Sequence, residues 1–181
     1  MTRFGYVITT YFAVLAVGGL SFIPPTPRLL WNATASTPLG LYAVQPARHL
    51  AIGDLAAVMP PERLADFLAD GGYLPHGVPL LKHVTGLPGQ QVCRVNRTIQ
   101  VDGVTLGEAL DRDRHGRALP AWNSCRRLRP GEVFLMNPAI PDSFDGRYFG
   151  PIPVRSILGR AVPLLTDENG DSHFRWRAKA R

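Results

Sequence analysis

Turn-forming residues divide most of this chain into short segments. The 181 residues include 17 Pro and 18 Gly, and from about residue 32 onward short apolar runs lie between them. Proline lacks a backbone donor and glycine readily adopts turn conformations, so neither supports a long uninterrupted helix. Short apolar runs between turn signals are typical of β-strands. The chain after residue 32 is therefore predicted to be mainly β.

Seven segments carry the strand pattern. They are Gly40–Val44, Leu55–Met59, Leu80–Thr85, Gln91–Val95, Thr98–Val101, Glu132–Asn137 and Ser156–Leu165. Asp102-Gly103 follows an alternating run and predicts a tight hairpin turn.

One helix is predicted within this β region. The segment Pro61–Leu68 has proline in its first turn, acidic residues early and apolar residues at helical spacing, and Gly71-Gly72 stops it. The segment Gly107–Asn123 is charged and lacks the strand rhythm. It is predicted to be a surface excursion between strands.

The N-terminal segment has a different composition. No charged residue occurs from Phe4 to Pro27, and Phe4–Ile23 is a mainly apolar run of 20 residues. That length is enough to span a bilayer as a helix, and the two prolines that follow end it. A cleaved secretory signal is the alternative, although its apolar region would be shorter and a small-x-small cleavage pattern is missing just after the run. We predict a transmembrane signal anchor at 4–23, a linker at 24–31 and an exported β-rich domain at 32–181.

The chain is basic, with a formal net charge of +6 that comes mostly from arginines in Arg112–Arg129 and in the tail from Arg175 to Arg181. Nucleic-acid binding is one interpretation of such basicity. No nucleic-acid motif accompanies the arginines, and a membrane anchor would place anionic lipid nearby. We therefore predict membrane lipid and not nucleic acid as a partner, with most of the arginines on a solvated face.

Cys93 and Cys125 are the two cysteines of the chain. Two thiols in an exported domain are candidates for one disulfide, because oxidising compartments favour pairing. The sequence has no Cys-x-x-Cys pair and no His/Cys cluster with metal-ligand spacing. We predict neither a metal site nor a cofactor.

Lys82 is unusual in a chain that otherwise uses arginine. Of the 20 Lys and Arg residues, only Lys82 and Lys179 are lysine, and Lys82 lies on a predicted apolar strand. Burial lowers the pKa of a lysine and its neutral amine is a base, whereas a guanidinium stays protonated. Lys82 is therefore a candidate general base. The alternative is a lysine whose stem crosses the apolar surface while its ammonium reaches water.

Ser36 is the most suitable partner for a neutral lysine, which needs a hydroxyl to deprotonate. Its neighbours are small, and Pro38 and Gly40 predict a turn that exposes its hydroxyl. It also lies 13 residues beyond Ile23, so a nucleophile there would act close to the bilayer surface. The alternative is a turn serine without chemistry.

Three motifs in order resemble the signal peptidase I superfamily. They are Ser36-x-Pro38-x-Gly40-x-Tyr42, Lys82-x-Val84-x-Gly86-x-Pro88-Gly89 and Ser143-Phe144-Asp145-Gly146-Arg147-Tyr148-Phe149-Gly150-Pro151. Their spacing and the third motif are most similar to the conjugative-transfer branch, the TraF-type pilin-maturation peptidases. The likeness runs from the N-terminal apolar segment to about Ala161. It implies an antiparallel-sheet catalytic domain of the signal-peptidase/LexA-like type, in the periplasm behind one transmembrane helix of the bacterial inner membrane.

The resemblance implies roles for individual residues. Ser36 matches the family nucleophile and Lys82 its general base. The Thr34 hydroxyl and the Ser36 main-chain N–H match the donors of an oxyanion hole.

Asp145 and Arg147 match a pair that supports the lysine strand and the active-site wall, and Ser143 is a candidate partner for Lys82. The chain departs from bacterial signal peptidases at Asn137–Pro141, where those carry Gly-Asp-Asn, so a serine or asparagine contact to Lys82 from this segment is not expected. A triad of Ser36, His83 and Asp145 is also not expected, because neighbouring strand residues point to opposite faces.

The implied activity is serine endopeptidase cleavage of a prepilin or another membrane-bound precursor. Water would resolve the acyl-enzyme, or the amino terminus of the substrate would do so and give a cyclic pilin. One alternative is a general signal peptidase, against which the missing Gly-Asp-Asn and the excursion speak. The other is a noncatalytic scaffold domain of a secretion channel, in which Lys82→Arg would be harmless.

Overall fold

The computed structural model describes residues 3–21, 28–47 and 49–177 of the chain. The helices in these residues are α1 (Arg3–Ser21), α2 (Glu62–Asp70) and α3 (Gly146–Phe149). The strands are β1 (Leu29–Asn32), β2 (Leu39–Gln45), β3 (Leu55–Val58), β4 (Leu80–Gly86), β5 (Gln91–Val95), β6 (Thr98–Val101), β7 (Val104–Glu108), β8 (Ser124–Arg127), β9 (Glu132–Met136), β10 (Ile152–Pro153), β11 (Ile157–Asp167) and β12 (Arg175–Trp176).

Helix α1 covers most of the predicted anchor. Large apolar side chains such as Phe4 and Phe12 are exposed on it. Residues 22 and 23 of the predicted span, and residues 24–27 of the predicted linker, lie outside the described residues. Among the helices that are described, none combines the length and apolarity needed to cross a membrane. The transmembrane part of the interpretation therefore stays a prediction.

The larger sheet is antiparallel and has the order β1-β2-β11-β3-β4-β9-β10, with β12 paired to β11. All four residues of β3 are buried. Ala56 and Val58 contribute to one apolar cluster, whereas Leu55 and Ala57 contribute to another. Because alternate residues of a strand point to opposite faces, this sheet has apolar packing on both faces around β3. Strand β4 lies beside β3 and is also paired on its other side, by β9.

The smaller sheet has the order β7-β6-β5-β8 and packs on strand β9 of the larger sheet. Its buried residues Val92, Ile99 and Val101 form a cluster with Phe134 and Met136 of β9. The predicted hairpin turn is confirmed: Asp102 and Gly103 both have positive φ, 47° and 81°, between β6 and β7. The mainly β antiparallel class predicted from the sequence is confirmed.

The predicted elements are present, with ends that differ by up to two residues. The missed elements are α3, a 3-10 helix at Val154–Ser156 and five short strands: β1, β7, β8, β10 and β12. Residues 29–31 were predicted as linker but belong to β1. This strand was missed because its apolar residues Leu29 and Trp31 are exposed, so it lacks the usual strand pattern. The predicted excursion starts after Glu108 because Gly107 and Glu108 pair with β6.

Candidate active site

Ser36 lies in the turn between β1 and β2, and Asn32 organises this turn. The buried Asn32 side chain donates through Nδ2 to the carbonyl oxygens of Thr37 and Pro38, at 3.1 and 3.0 Å. Its Oδ1 accepts hydrogen bonds from the main-chain N–H of Thr34, at 3.1 Å, and from the Thr34 hydroxyl, at 2.8 Å. The side-chain amide of Asn32 thus holds together the nucleophile loop (residues 33–38). Sequence reasoning missed Asn32, although asparagine before a turn is a recognised local signal.

Lys82 reaches Ser36 from strand β4. Its side chain is only 2% exposed, and Nζ donates hydrogen bonds of 3.0 Å to Ser36 Oγ and 2.8 Å to Ser143 Oγ. The pKa of Lys82 is lowered from 10.5 to about 8, mainly by burial; the Asp145 and Asp142 carboxylates oppose this shift and the Arg147 guanidinium adds to it. The structure therefore brings the predicted base, nucleophile and lysine partner together.

This arrangement can generate a nucleophile near neutral pH. A neutral amine at the Lys82 position can accept the Ser36 hydroxyl proton across the 3.0 Å contact. Ser143 holds Nζ from a second direction, which restricts the rotamers that the lysine can adopt. Because burial penalises the ammonium form, the pocket increases the fraction of neutral amine that a base needs.

Thr34 lies beside the nucleophile but its hydroxyl already has an acceptor. Thr34 Oγ1 is 3.5 Å from Ser36 Oγ and donates to Asn32 Oδ1. To donate to a substrate oxyanion, this hydroxyl would have to exchange its bond to Asn32. Its role in an oxyanion hole stays a prediction.

Asp145 and Arg147 form a buried ion pair, with side chains 0% and 1% exposed. The pair is bidentate, with Arg147 Nε 2.9 Å from Asp145 Oδ1 and Nη2 2.8 Å from Oδ2. The guanidinium also donates to the carbonyl oxygens of Asn137, Ile140 and Pro141, at 2.6–3.0 Å. These contacts satisfy both charges, as burial requires, and they brace the loop that leads to Ser143.

Helix α3, which carries this pair's arginine, is hydrogen-bonded by the smaller sheet and by the segment between β7 and β8. Buried Arg94 donates to the carbonyl oxygen of Arg147, and Trp122 Nε1 donates to that of Gly146 at 3.1 Å. A Cβ on Gly146 would lie 2.5 Å from the Leu135 carbonyl oxygen, so glycine is required between the two charged residues. Cys93 and Cys125, opposite each other on β5 and β8, form a disulfide in the same sheet.

Asn137 is a site residue that sequence reasoning missed. Its Nδ2 donates a 2.6 Å hydrogen bond to the main-chain oxygen of Ser36, and its Oδ1 accepts one of 3.0 Å from the His83 N–H. Its own N–H donates to Asp145 Oδ2 at 3.0 Å. Asn137 thus connects the nucleophile loop, the lysine strand and the buried ion pair. The one sequence signal for Asn137 was that Asn137–Pro141 stands where bacterial signal peptidases carry Gly-Asp-Asn.

A groove of about 600 Å³ opens beside Ser36. Its apolar lining includes Ala35, Pro38, Leu39, Ile52, Val84 and Ile140. His83 also lines this groove, and its Nδ1 lies 3.1 Å from the Gly53 carbonyl oxygen. Asp145 is engaged by Arg147, so the geometry gives no support to a triad of Ser36, His83 and Asp145.

Comparison with known proteins places the chain in a class of peptidases. The family described as "Signal peptidase, peptidase S26" matches residues 1–165. The chain belongs to this family of serine-type signal peptidases.

Its relatives include conjugative-transfer proteins. The chain is 37% identical over 147 residues to the conjugal transfer protein TraF of Agrobacterium fabrum, with 75% of this chain and 81% of that one covered. It is 32% identical over 147 residues to a plasmid transfer protein TraF of Escherichia coli, with the same shares covered. A probable signal peptidase I-1 of Synechocystis is 32% identical over 111 residues, with 61% of this chain and 52% of that one covered. The resemblance drawn from the three motifs is confirmed.

Proposed function

We propose that this protein is a membrane-anchored Ser–Lys endopeptidase that processes a prepilin or a similar membrane precursor for conjugative transfer. The observation that carries the proposal is the 3.0 Å contact between Ser36 Oγ and Nζ of the buried Lys82. Membership of the peptidase S26 family supports the reaction type. The TraF relatives, named for conjugal and plasmid transfer, support the biological setting.

The chemistry begins with proton transfer. Neutral Lys82 takes the Ser36 proton as Oγ attacks the scissile carbonyl carbon. The oxyanion is met by the Ser36 N–H and by the Thr34 hydroxyl once it leaves Asn32, and one such donor is typically worth about 3 kcal/mol. The Lys82 ammonium then protonates the departing amine, and the C–N bond breaks to leave an acyl-Ser36 ester. Ser143 keeps Nζ in position through both steps.

The ester is resolved by a nucleophile that Lys82 can again deprotonate. Water gives a free carboxylate. The amino terminus of the same substrate gives a cyclic product instead, with the same proton transfers. The two outcomes differ in mass by one water molecule.

Membrane attachment would bring the site to its substrate. Residues Phe4 to Pro27 carry no charge, and the turn with Ser36 follows shortly afterwards. A catalytic domain held there, on the periplasmic face of the inner membrane, meets the end of a precursor's membrane segment without a search through bulk solvent.

Processing of a candidate prepilin tests the proposal directly. The full chain and the precursor are expressed together in membranes, and the precursor's mass is followed by mass spectrometry. We expect conversion by the parent chain and none by Ser36→Ala or Lys82→Ala. Undiminished conversion by either variant would end the assignment.

A further inference from the structure

The groove beside Ser36 is acidic, although the chain as a whole is basic. The described residues that line it include Asp167 and Glu168 but no Lys or Arg, whereas the formal net charge of the chain is +6. His83 is the other titratable side chain in this lining. A cation that enters the groove would meet negative charge in largely apolar surroundings, where charges interact more strongly than in water.

Asp167 is committed to the turn that follows it. Its carboxylate accepts hydrogen bonds of 2.8–3.3 Å from the main-chain N–H groups of residues 169, 170, 171 and 172. Burial alone would raise the pKa of Asp167, but these four donors outweigh burial and lower the pKa. Asp167 therefore fixes the backbone that carries Glu168.

Glu168 is the carboxylate that remains for a ligand. Its Oε1 accepts a 2.7 Å hydrogen bond from the hydroxyl of buried Thr166. Across residues 3–21, 28–47 and 49–177, no Lys, Arg or His forms an ion pair with it. The pKa of Tyr42 is raised mainly by burial and next by the charge of Glu168. The Tyr42 hydroxyl donates to the carbonyl oxygen of Pro38 in the nucleophile loop. The carboxylate is thus held in place beside the loop that presents Ser36.

We propose that Glu168 binds a cationic group of the substrate, so that the groove selects an apolar segment carrying a lysine or arginine side chain or a free amino terminus. This inference rests on the proposed function, because it takes the groove beside Ser36 to be where the substrate lies. Each of these groups presents charged N–H donors to the carboxylate, and such hydrogen bonds are stronger than neutral ones. A neutral residue of the same shape would forgo that bond.

Peptide binding to the full-length Ser36→Ala variant in detergent micelles tests this proposal without requiring cleavage. The probes are short alanine–leucine peptides, acetylated and amidated, with either lysine or its uncharged isostere norleucine at one position. A further probe is a peptide without lysine whose amino terminus is free. Fluorescence anisotropy gives the Kd of each. We expect the cationic probe to bind about 3- to 10-fold more tightly than its neutral partner.

Two further variants assign that preference to Glu168. Glu168→Gln keeps an acceptor for Thr166 and removes the charge, so it should bring the ratio of the two Kd values close to one. Asp171→Asn removes a charge from the same turn but outside the groove lining, and it should keep the parent ratio. Equal binding of all cationic and neutral probes would overturn the proposal, and so would a preference that survives Glu168→Gln.

The probes also identify the source of the cation. A preference confined to the free-amino-terminus probe assigns the substrate's α-ammonium, and one confined to lysine probes assigns a side chain. Because the readout is binding, a chain that prefers cationic probes but cleaves no precursor would refute the proposed function and leave this inference standing. A chain that cleaves the precursor without any cationic preference would refute this inference alone.

Discussion

The side-chain amide of Asn137 donates a 2.6 Å hydrogen bond to the main-chain oxygen of Ser36. The two residues are 101 positions apart in the sequence, and this bond ties the nucleophile loop to the end of β9. Since Asn137 also accepts from the His83 N–H, one amide sets the position of the nucleophile relative to the strand that carries the base.

Removing this amide should slow the chemical step more than it weakens substrate binding. We expect Asn137→Ala to lower kcat by about 10- to 100-fold with little change in KM, because a loosened nucleophile loop loses its alignment with Lys82. Steady-state kinetics on the precursor measure the two parameters separately. Asn123→Ala, at an exposed asparagine, is the matched control and should behave like the parent chain. A folded Asn137→Ala variant with parental kcat would contradict this role.

The protonation state of Lys82 should govern the pH dependence of activity. Burial lowers its pKa to about 8, and the base works only as the neutral amine. We therefore expect kcat/KM to fall about tenfold per pH unit below pH 8 and to level off above it. A pH–rate profile of the parent chain measures this. A flat profile across the same range would show that Lys82 is not the titrating base.

Substitutions of Lys82 distinguish the peptidase hypothesis from the noncatalytic scaffold hypothesis. We expect Lys82→Arg to be inactive, because a guanidinium stays protonated and cannot act as the base. Lys82→Met fills a similar volume without a charge and should also be inactive while remaining folded by circular dichroism. Lys179→Arg, at the chain's other lysine, is the control and should process the precursor normally. Full activity in Lys82→Met would rule out the proposed mechanism.

The buried pair of Asp145 and Arg147 should matter far more for stability than an exposed pair nearby. Asp145→Asn leaves the Arg147 guanidinium buried without its counter-charge, and we expect a loss of about 3–5 kcal/mol in the free energy of unfolding. Asp142 pairs with Arg114 at 2.8 Å, but these side chains are 42% and 78% exposed. For Asp142→Asn we expect less than about 1 kcal/mol. Urea unfolding of the two variants decides the matter, and similar losses would contradict the distinction.

Sequence reasoning identifies residues whose type and sequence context alone indicate their chemistry. Lys82 is conspicuous because it is a lysine on an apolar strand of an arginine-rich chain, and most strands are marked by apolar runs between turns. Asn32 and Asn137 could not be assigned in the same way, because an amide gains its role only from the partners that the fold brings to it. Strands β8 and β12 were missed because they are short, exposed and rich in arginine, so their sequences show no alternation of apolar and polar residues.

Strand β4 is hydrogen-bonded on both sides, by β3 and β9, and its Lys82 pairs with Ala56 of β3. The two hydroxyl partners of Lys82, Ser36 and Ser143, come from 46 residues earlier and 61 residues later in the chain. Under the proposed mechanism, a half-synthesised or partly unfolded molecule would therefore have no assembled base. The proposed activity would require the segments that carry Ser36, Lys82 and Ser143 to have come together, so turnover would report on the assembly of all three.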